Sequence, residues 1–187
     1  MTSSLLLSSL LTVEQCLERV TAADVAAVED FASLSRRREY LTWRVMLYEH
    51  LGRKVEIEYA DSAPIVVGEN IYIGVSHTAD MAAVVVSQNP CAVDIERKDR
   101  DITRVANRFF THCEKRFATD NSSMVAIWCA RECYYKFKRD RSVDILSGVW
   151  VAELDMERGV VTVESLRGDR LEMKIEQTAE HVVVYVL

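Results

Sequence analysis

The sequence predicts an α+β fold of two lobes dividing near residue 90, and three observations carry that prediction. Short apolar runs, some alternating and some continuous, are bounded by Gly, Pro and Asn turns. Between them lie segments whose apolar residues recur at helical spacing, and each half of the chain places helices before strands.

The elements follow in order. Ser4 to Leu11 is apolar and short with no basic residue before it, so it reads as a first strand, not a signal peptide or a membrane span. Thr12 with Gln15 and Thr21 with Asp24 mark helix starts. A longer helix is expected from Ser35 to Leu51, stopped by Gly52, with Leu41, Val45 and Tyr48 on its apolar stripe. Arg37, Arg38 and Arg44 stand off that stripe, as a solvated face or as an anion-binding one. Val55 to Tyr59 alternates, Asp61 to Pro64 turns, and Ile71 to Val75 leads into Ser76, His77 and Thr78. Ala82 to Ser87 reads as a buried strand. After the turn at Asn89 and Pro90, Cys91 to Glu96 reads as another strand. Helices are expected over Asp101 to Phe110 and Ser122 to Lys138. Four strands close the chain: Gly148 to Leu154, Val160 to Leu166, Leu171 to Glu176 and His181 to Leu187.

The bulk numbers exclude some classes of function. A net charge of −6 over 187 residues argues against nucleic acid as a partner, although local arginines can still meet an anionic ligand. Five cysteines with no paired metal spacing suit reduced thiols in a cytoplasmic protein. No Walker A loop, dinucleotide fingerprint, zinc-protease motif or nucleophile elbow occurs.

The residues that could carry chemistry are few. In the strand ending at Glu96, Asp94 and Glu96 project to one side while Val93 and Ile95 project to the other, into a core. Two neighbouring carboxylates repel unless a cation sits with them, and a hard metal ion bound through oxygen is one candidate. A solvated strand edge is the plainer alternative. Trp128, Glu132 and Lys136 fall on one stripe of a helix, which is a surface ion pair or, if turned toward Asp94 and Glu96, a third carboxylate with a lysine beside it. Magnesium holds one or two carboxylates together with substrate phosphates. His77 and Ser76, with Arg37, Arg38 and Arg44, offer the donors that phosphates need.

Four blocks taken together resemble the 4′-phosphopantetheinyl transferase superfamily. They are Gly74-Val75-Ser76-His77-Thr78, Ala92-Val93-Asp94-Ile95-Glu96, Arg108-Phe109-Phe110-Thr111 with Glu114, and Trp128-Cys129-Ala130-Arg131-Glu132 with Lys136. The length resembles that of the larger, monomeric type. This resemblance implies two pseudo-symmetric lobes, residues 1–90 and 91–187, each a small antiparallel sheet packed with helices. It implies transfer of the phosphopantetheine arm from coenzyme A to a serine of an apo acyl or peptidyl carrier protein, releasing adenosine 3′,5′-bisphosphate. Asp94, Glu96 and Glu132 would hold Mg2+, and Glu132 or a metal-linked water would take the serine proton. Lys136 would neutralise the pyrophosphate, Ser76 and His77 would contact the coenzyme A phosphates, and Arg44 and Arg38 would lie toward the 3′-phosphate. The chain departs from the family pattern at Ala92, where glycine is usual, at Arg131, where lysine is usual, and at Ser62-Ala63-Pro64, where Gly-Lys-Pro is usual. Those departures motivate a second reading, a weakened paralogue that binds coenzyme A or a carrier protein without efficient transfer. A third is an unrelated α+β interaction module.

Overall fold

The computed structural model describes residues 2–61, 63–140 and 142–187. It divides into two compact units, Met1–Pro90 with Leu187 and Cys91–Val186.

In the first unit the opening apolar run forms strand β1, Ser4–Ser9. Helices α1, Val13–Leu17, and α2, Ala22–Glu29, start at Thr12 and Thr21. Each threonine closes a reciprocal capping box with the residue three positions on, Gln15 and Asp24, so two orphan N–H groups are met at each start. Helix α3, Leu34–Leu51, is capped by Ser33 and ends on Gly52, whose φ of 67° is the left-handed geometry glycine tolerates. Strands β2, Ile57–Ala60, and β3, Ala63–Val66, pair as a hairpin. The expected turn from Asp61 to Pro64 is therefore shorter than the sequence suggests. Ala63 already pairs with Ala60 and Pro64 with Tyr59, while Ser62 lies outside the described residues. Strands β4, Tyr72–His77, and β5, Met81–Ser87, complete a three-stranded antiparallel sheet in the order β1-β5-β4. Leu41, Val45, Leu47 and Tyr48 of α3 share one core with Val84 and Val86 of β5.

In the second unit strand β6, Ala92–Arg97, is followed by helices α4, Thr103–Phe109, α5, His112–Phe117, and α6, Asn121–Lys138. Strands β7, Val149–Asp155, β8, Val160–Ser165, β9, Arg170–Gln177, and β10, His181–Val186, then build an antiparallel sheet in the order β6-β10-β9-β8-β7. Helix α6 lays Val125, Ala126, Cys129, Ala130 and Cys133 into a core with Val182 and Val184 of β10. Helix α5 is not anticipated as a helix, although its signal is present: Thr111 and Glu114 form another capping box.

Each unit is an α+β layer of small antiparallel sheet and helix, and the two repeat one plan. In both, the first strand pairs with the last, and the last pairs with the one before it. In both, an 18-residue helix packs on that sheet and carries a buried arginine as its eleventh residue, Arg44 in α3 and Arg131 in α6. Each guanidinium meets the carboxylate that closes the capping box of an earlier helix. Arg44 Nε donates to Asp24 Oδ1 at 2.7 Å, while Arg131 Nε and Nη2 donate to Glu114 at 2.8 and 2.5 Å. No repeat is visible in the letters, because only the plan and these two clamps recur.

Gly159 sits in the β7–β8 turn with φ of 67°, and a Cβ there would meet Ile175 O at 2.7 Å. Gly159→Ala is expected to lower stability by about 1–3 kcal/mol. Gly68→Ala, at φ of 73° with open space around the Cβ position, is expected to cost only about 1 kcal/mol of backbone strain. Equal urea midpoints for the two variants would show that the close approach to Ile175 carries no cost.

Among the described residues no helix is long and apolar enough to cross a membrane.

Candidate functional site

In the second unit the acids come from β6 and α6. Residues directly opposite across an antiparallel pair share a face, and Asp94 lies opposite Val184 while Glu96 lies opposite Val182. Both valines belong to the core under α6, as does Ala92, so the Asp94/Glu96 side of β6 is the side that α6 covers. This corrects the expected picture of apolar residues inward and carboxylates at a free strand edge. Val93 and Ile95 are buried, but Asp94 is too, at 4% exposure. The added methyl of Ala92 is absorbed as part of that core.

Helix α6 brings Lys136 to this face, where Nζ donates to Asp94 Oδ1 at 2.7 Å and to Val93 O at 3.4 Å. Burial disfavours the ammonium, but the Asp94 carboxylate outweighs that penalty and holds the Lys136 pKa above its ordinary value. Glu132, one turn earlier on the stripe, is half-buried. Burial first and the charge of Asp94 second raise its pKa. The same two causes, with Glu132 adding to them, push Glu96 up to about 7. Three carboxylates thus feel one another's field, the condition that a bound cation relieves.

Three residues beyond the sequence-derived set belong to this cluster. Arg100 pairs with Glu96 from the segment after β6, and its guanidinium carbon stands 5.9 Å from the Trp128 ring centre. Its signal was the spacing of four from Glu96, which is uninformative outside a helix. Cys129, fully buried in α6, has its thiol pKa raised well above normal by burial and then by hydrogen bonding and proximity to Asp94. Cys133, one helical turn closer to Lys136 and equally buried, also has its thiol pushed up by burial and then by Asp94. Both cysteines line the wall behind the carboxylate.

The donor set fits a hard divalent cation. Carboxylate oxygens are the ligands that Mg2+ prefers, and Asp94, Glu96 and Glu132 supply them from two rigid elements. As the side chains stand, the three are not drawn to within 4.8 Å of one another. Lys136 engages Asp94 and Arg100 engages Glu96, so those two acids each have a counter-charge.

Arg131, where the resemblance leads one to expect lysine, lies behind the site. Its guanidinium is 1% exposed and, besides Glu114, donates to the carbonyls of Ile145, Leu146 and Phe109 at 3.1, 3.0 and 3.2 Å. Glu114 also accepts from Val151 N at 2.9 Å. A planar fork satisfies this set; a single ammonium would not reach all of it.

In the first unit Ser76 and His77 end strand β4, paired with Ala83 and Ala82 of β5. Ser76 is buried and His77 is partly exposed. Arg36 Nη1 lies 3.3 Å from His77 Nε2, and Glu39 Oε2 lies 3.5 Å from His77 Nδ1. Arg38 instead donates to the carbonyls of Leu11 and Leu10 at 3.0 and 2.9 Å. Arg44 is 1% exposed and is held by Asp24, Tyr40 O and Tyr59 Oη, with its guanidinium carbon 3.4 Å from the Tyr40 ring centre. Its charge is met within the unit by Asp24. An arginine off the apolar stripe was read as solvated because its partner, Asp24, lies twenty residues away.

None of the curated proteins matches this chain. The family model for the 4′-phosphopantetheinyl transferase superfamily matches residues 90–180, nearly the whole of the second unit and all of its acids. That unit, with its Asp94, Glu96, Glu132 and Lys136, is what the chain shares with the 4′-phosphopantetheinyl transferase superfamily.

Proposed function

We propose that this chain is a holo-carrier-protein synthase, which moves the 4′-phosphopantetheine arm of coenzyme A onto a serine of an apo acyl or peptidyl carrier protein with Mg2+. The observation that carries the reading is the gathering of Asp94 and Glu96 on β6 with Glu132 and Lys136 on α6. The serine oxygen forms a bond to the phosphorus bearing the pantetheine arm. The pyrophosphate P–O bond breaks, and adenosine 3′,5′-bisphosphate leaves. Held by Asp94, Glu96 and Glu132, Mg2+ would supply charge neutralisation at the pyrophosphate oxygens. Glu132, or a water beside the metal, would receive the serine proton. Lys136 keeps its proton and offers a fixed positive charge for the leaving group.

The departures at Ala92 and Arg131, which motivate a merely binding role, are both taken up in packing away from the carboxylate oxygens. That supports turnover. A reduced, cytoplasmic and monomeric protein is part of the same reading.

Incubation with coenzyme A, Mg2+ and an apo carrier protein, followed by intact mass of the carrier, tests the proposal. The expected result is the mass of one phosphopantetheine arm, abolished by EDTA and restored by excess Mg2+. Several cognate carriers left unmodified while coenzyme A still binds would replace this reading with the binding-only one.

A further inference from the structure

The turn that follows β6 is held from two sides. Arg100 N donates to Arg97 O at 3.1 Å and closes the turn, while Lys98 N donates to Glu180 O at 2.7 Å. Asn121, the first residue of α6, donates its side-chain amide to Lys98 O and to Arg100 O, the latter at 3.2 Å. The backbone at Arg100 is thereby tied to the helix that carries Glu132 and Lys136. Two arginines flank this turn, and their partners differ. Arg97 grips Asp99 through Nε and Nη2 at 2.9 and 2.8 Å, with Glu180 at 3.5 Å. Arg100 pairs with Glu96, four residues back.

The acid cluster therefore has two internal cations, and they are held differently. Lys136 springs from a helix and donates both to Asp94 Oδ1 and to Val93 O. Arg100 springs from a turn, its side chain is 44% exposed, and its ionic partner is the Glu96 carboxylate. The Trp128 ring centre lies 5.9 Å from its guanidinium carbon, at the outer limit of a cation–π contact, so the ring adds little to that hold. A guanidinium does not lose its proton in a protein. Arg100 thus frees Glu96 only by moving away, and its exposed side chain has water to move into.

We infer that Arg100 is a resident counter-ion, which a divalent cation must displace from Glu96 before that acid joins Asp94 and Glu132. This rests on the proposed role of those three acids as the Mg2+ set. It accounts for their spacing, since the three are not gathered within 4.8 Å while Arg100 engages one of them. A divalent ion brings twice the charge of a guanidinium to one carboxylate, so it can take the place. Its apparent affinity is then lowered by the fraction of molecules in which Glu96 is open. Arg100 would thus set the cation concentration at which the cluster loads, and would temper the repulsion between the acids until then. Lys136, held by a carboxylate and a carbonyl, stays in place through the exchange.

Titration of the full chain with Mn2+, an oxygen-seeking stand-in for Mg2+ whose free ion is counted by electron paramagnetic resonance, provides the test. It is run with and without coenzyme A, and thermal midpoints confirm that each variant is folded. Arg100→Ala is expected to tighten Mn2+ binding about fivefold, the scale on which one half-exposed ion pair competes. Arg97→Ala removes a positive charge from the same turn without opening Glu96, and should change the affinity by less than about twofold. An Arg100→Ala affinity that stays within that range of wild type, or weakens, overturns the inference and leaves the metal reading standing. An equal gain in both variants overturns it too, as a mere effect of net charge. In crystals soaked with Mn2+, the anomalous peak should lie on Glu96 with the Arg100 guanidinium turned away. A bound ion with Arg100 still paired to Glu96 overturns the displacement. If neither wild type nor Arg100→Ala depletes free Mn2+ in either arm, the metal reading and this inference fall together.

Discussion

Arg131→Met is expected to destabilise the second unit by about 3–5 kcal/mol, because it leaves Glu114 as an uncompensated charge at 0% exposure. That is a large part of the roughly 5–15 kcal/mol by which a domain is usually stable. The loss should appear as a shifted urea midpoint by circular dichroism, with an unchanged dependence on urea. Glu114→Leu should be similarly harmful, since it leaves the Arg131 guanidinium buried without its carboxylate. The double variant Arg131→Met/Glu114→Leu should recover much of the loss, because two apolar side chains of similar volume need no counter-charge. Arg131→Lys should fall between, keeping the charge but losing several of the five hydrogen bonds the guanidinium makes, each worth about 1 kcal/mol. If Arg131→Met shifts stability by less than about 1 kcal/mol, the clamp does not hold α6 against α5 and β7.

Asp94→Ala and Glu132→Ala should each reduce phosphopantetheine transfer by about a thousandfold or more, the scale seen when a charge-stabilising group is removed from an active centre. Asp94→Ala has a second effect. It strips Lys136 of its 2.7 Å partner and leaves the longer contact to Val93 O at 3.4 Å. Asp94→Asn separates the two effects by keeping the shape and one acceptor for Lys136 while removing the charge that would hold Mg2+. Transfer rates followed by carrier mass, with circular dichroism showing a native fold, decide the matter. Near-normal turnover in either alanine variant would remove that residue from the metal-holding set.

Where the backbone signals its own boundaries, the fold was legible in the sequence. The threonine caps at Thr12 and Thr21, the Gly52 stop and the alternation through β6 are local codes, and each corresponds to a hydrogen bond or a pleat nearby in the chain. The same code was present at Thr111 and Glu114, where α5 went unanticipated because the helix it starts is only six residues long. Side-chain partnerships across sequence were not legible. Arg44 and Arg131 look like surface arginines until Asp24 and Glu114 are folded against them, 20 and 17 residues away. Likewise the sequence offered several arginines of equal promise near Ser76 and His77. Only the tertiary placement of the Leu10, Leu11, Phe31 and Glu29 carbonyls shows that Arg37 and Arg38 hold α3 in place.

The place of β6 in its sheet has a consequence for how the chain acquires activity. Its partner in that sheet is β10, and Asp94 takes its register from Val184, ninety residues later. The β7–β8 and β8–β9 hairpins close through short loops and can form early, whereas β6 must wait for the most distant pairing in its unit. The acids are therefore aligned only once the rest of that sheet exists. A half-folded molecule carries the same carboxylates without their alignment, so if they hold Mg2+ as proposed, affinity for it would distinguish finished molecules from folding intermediates.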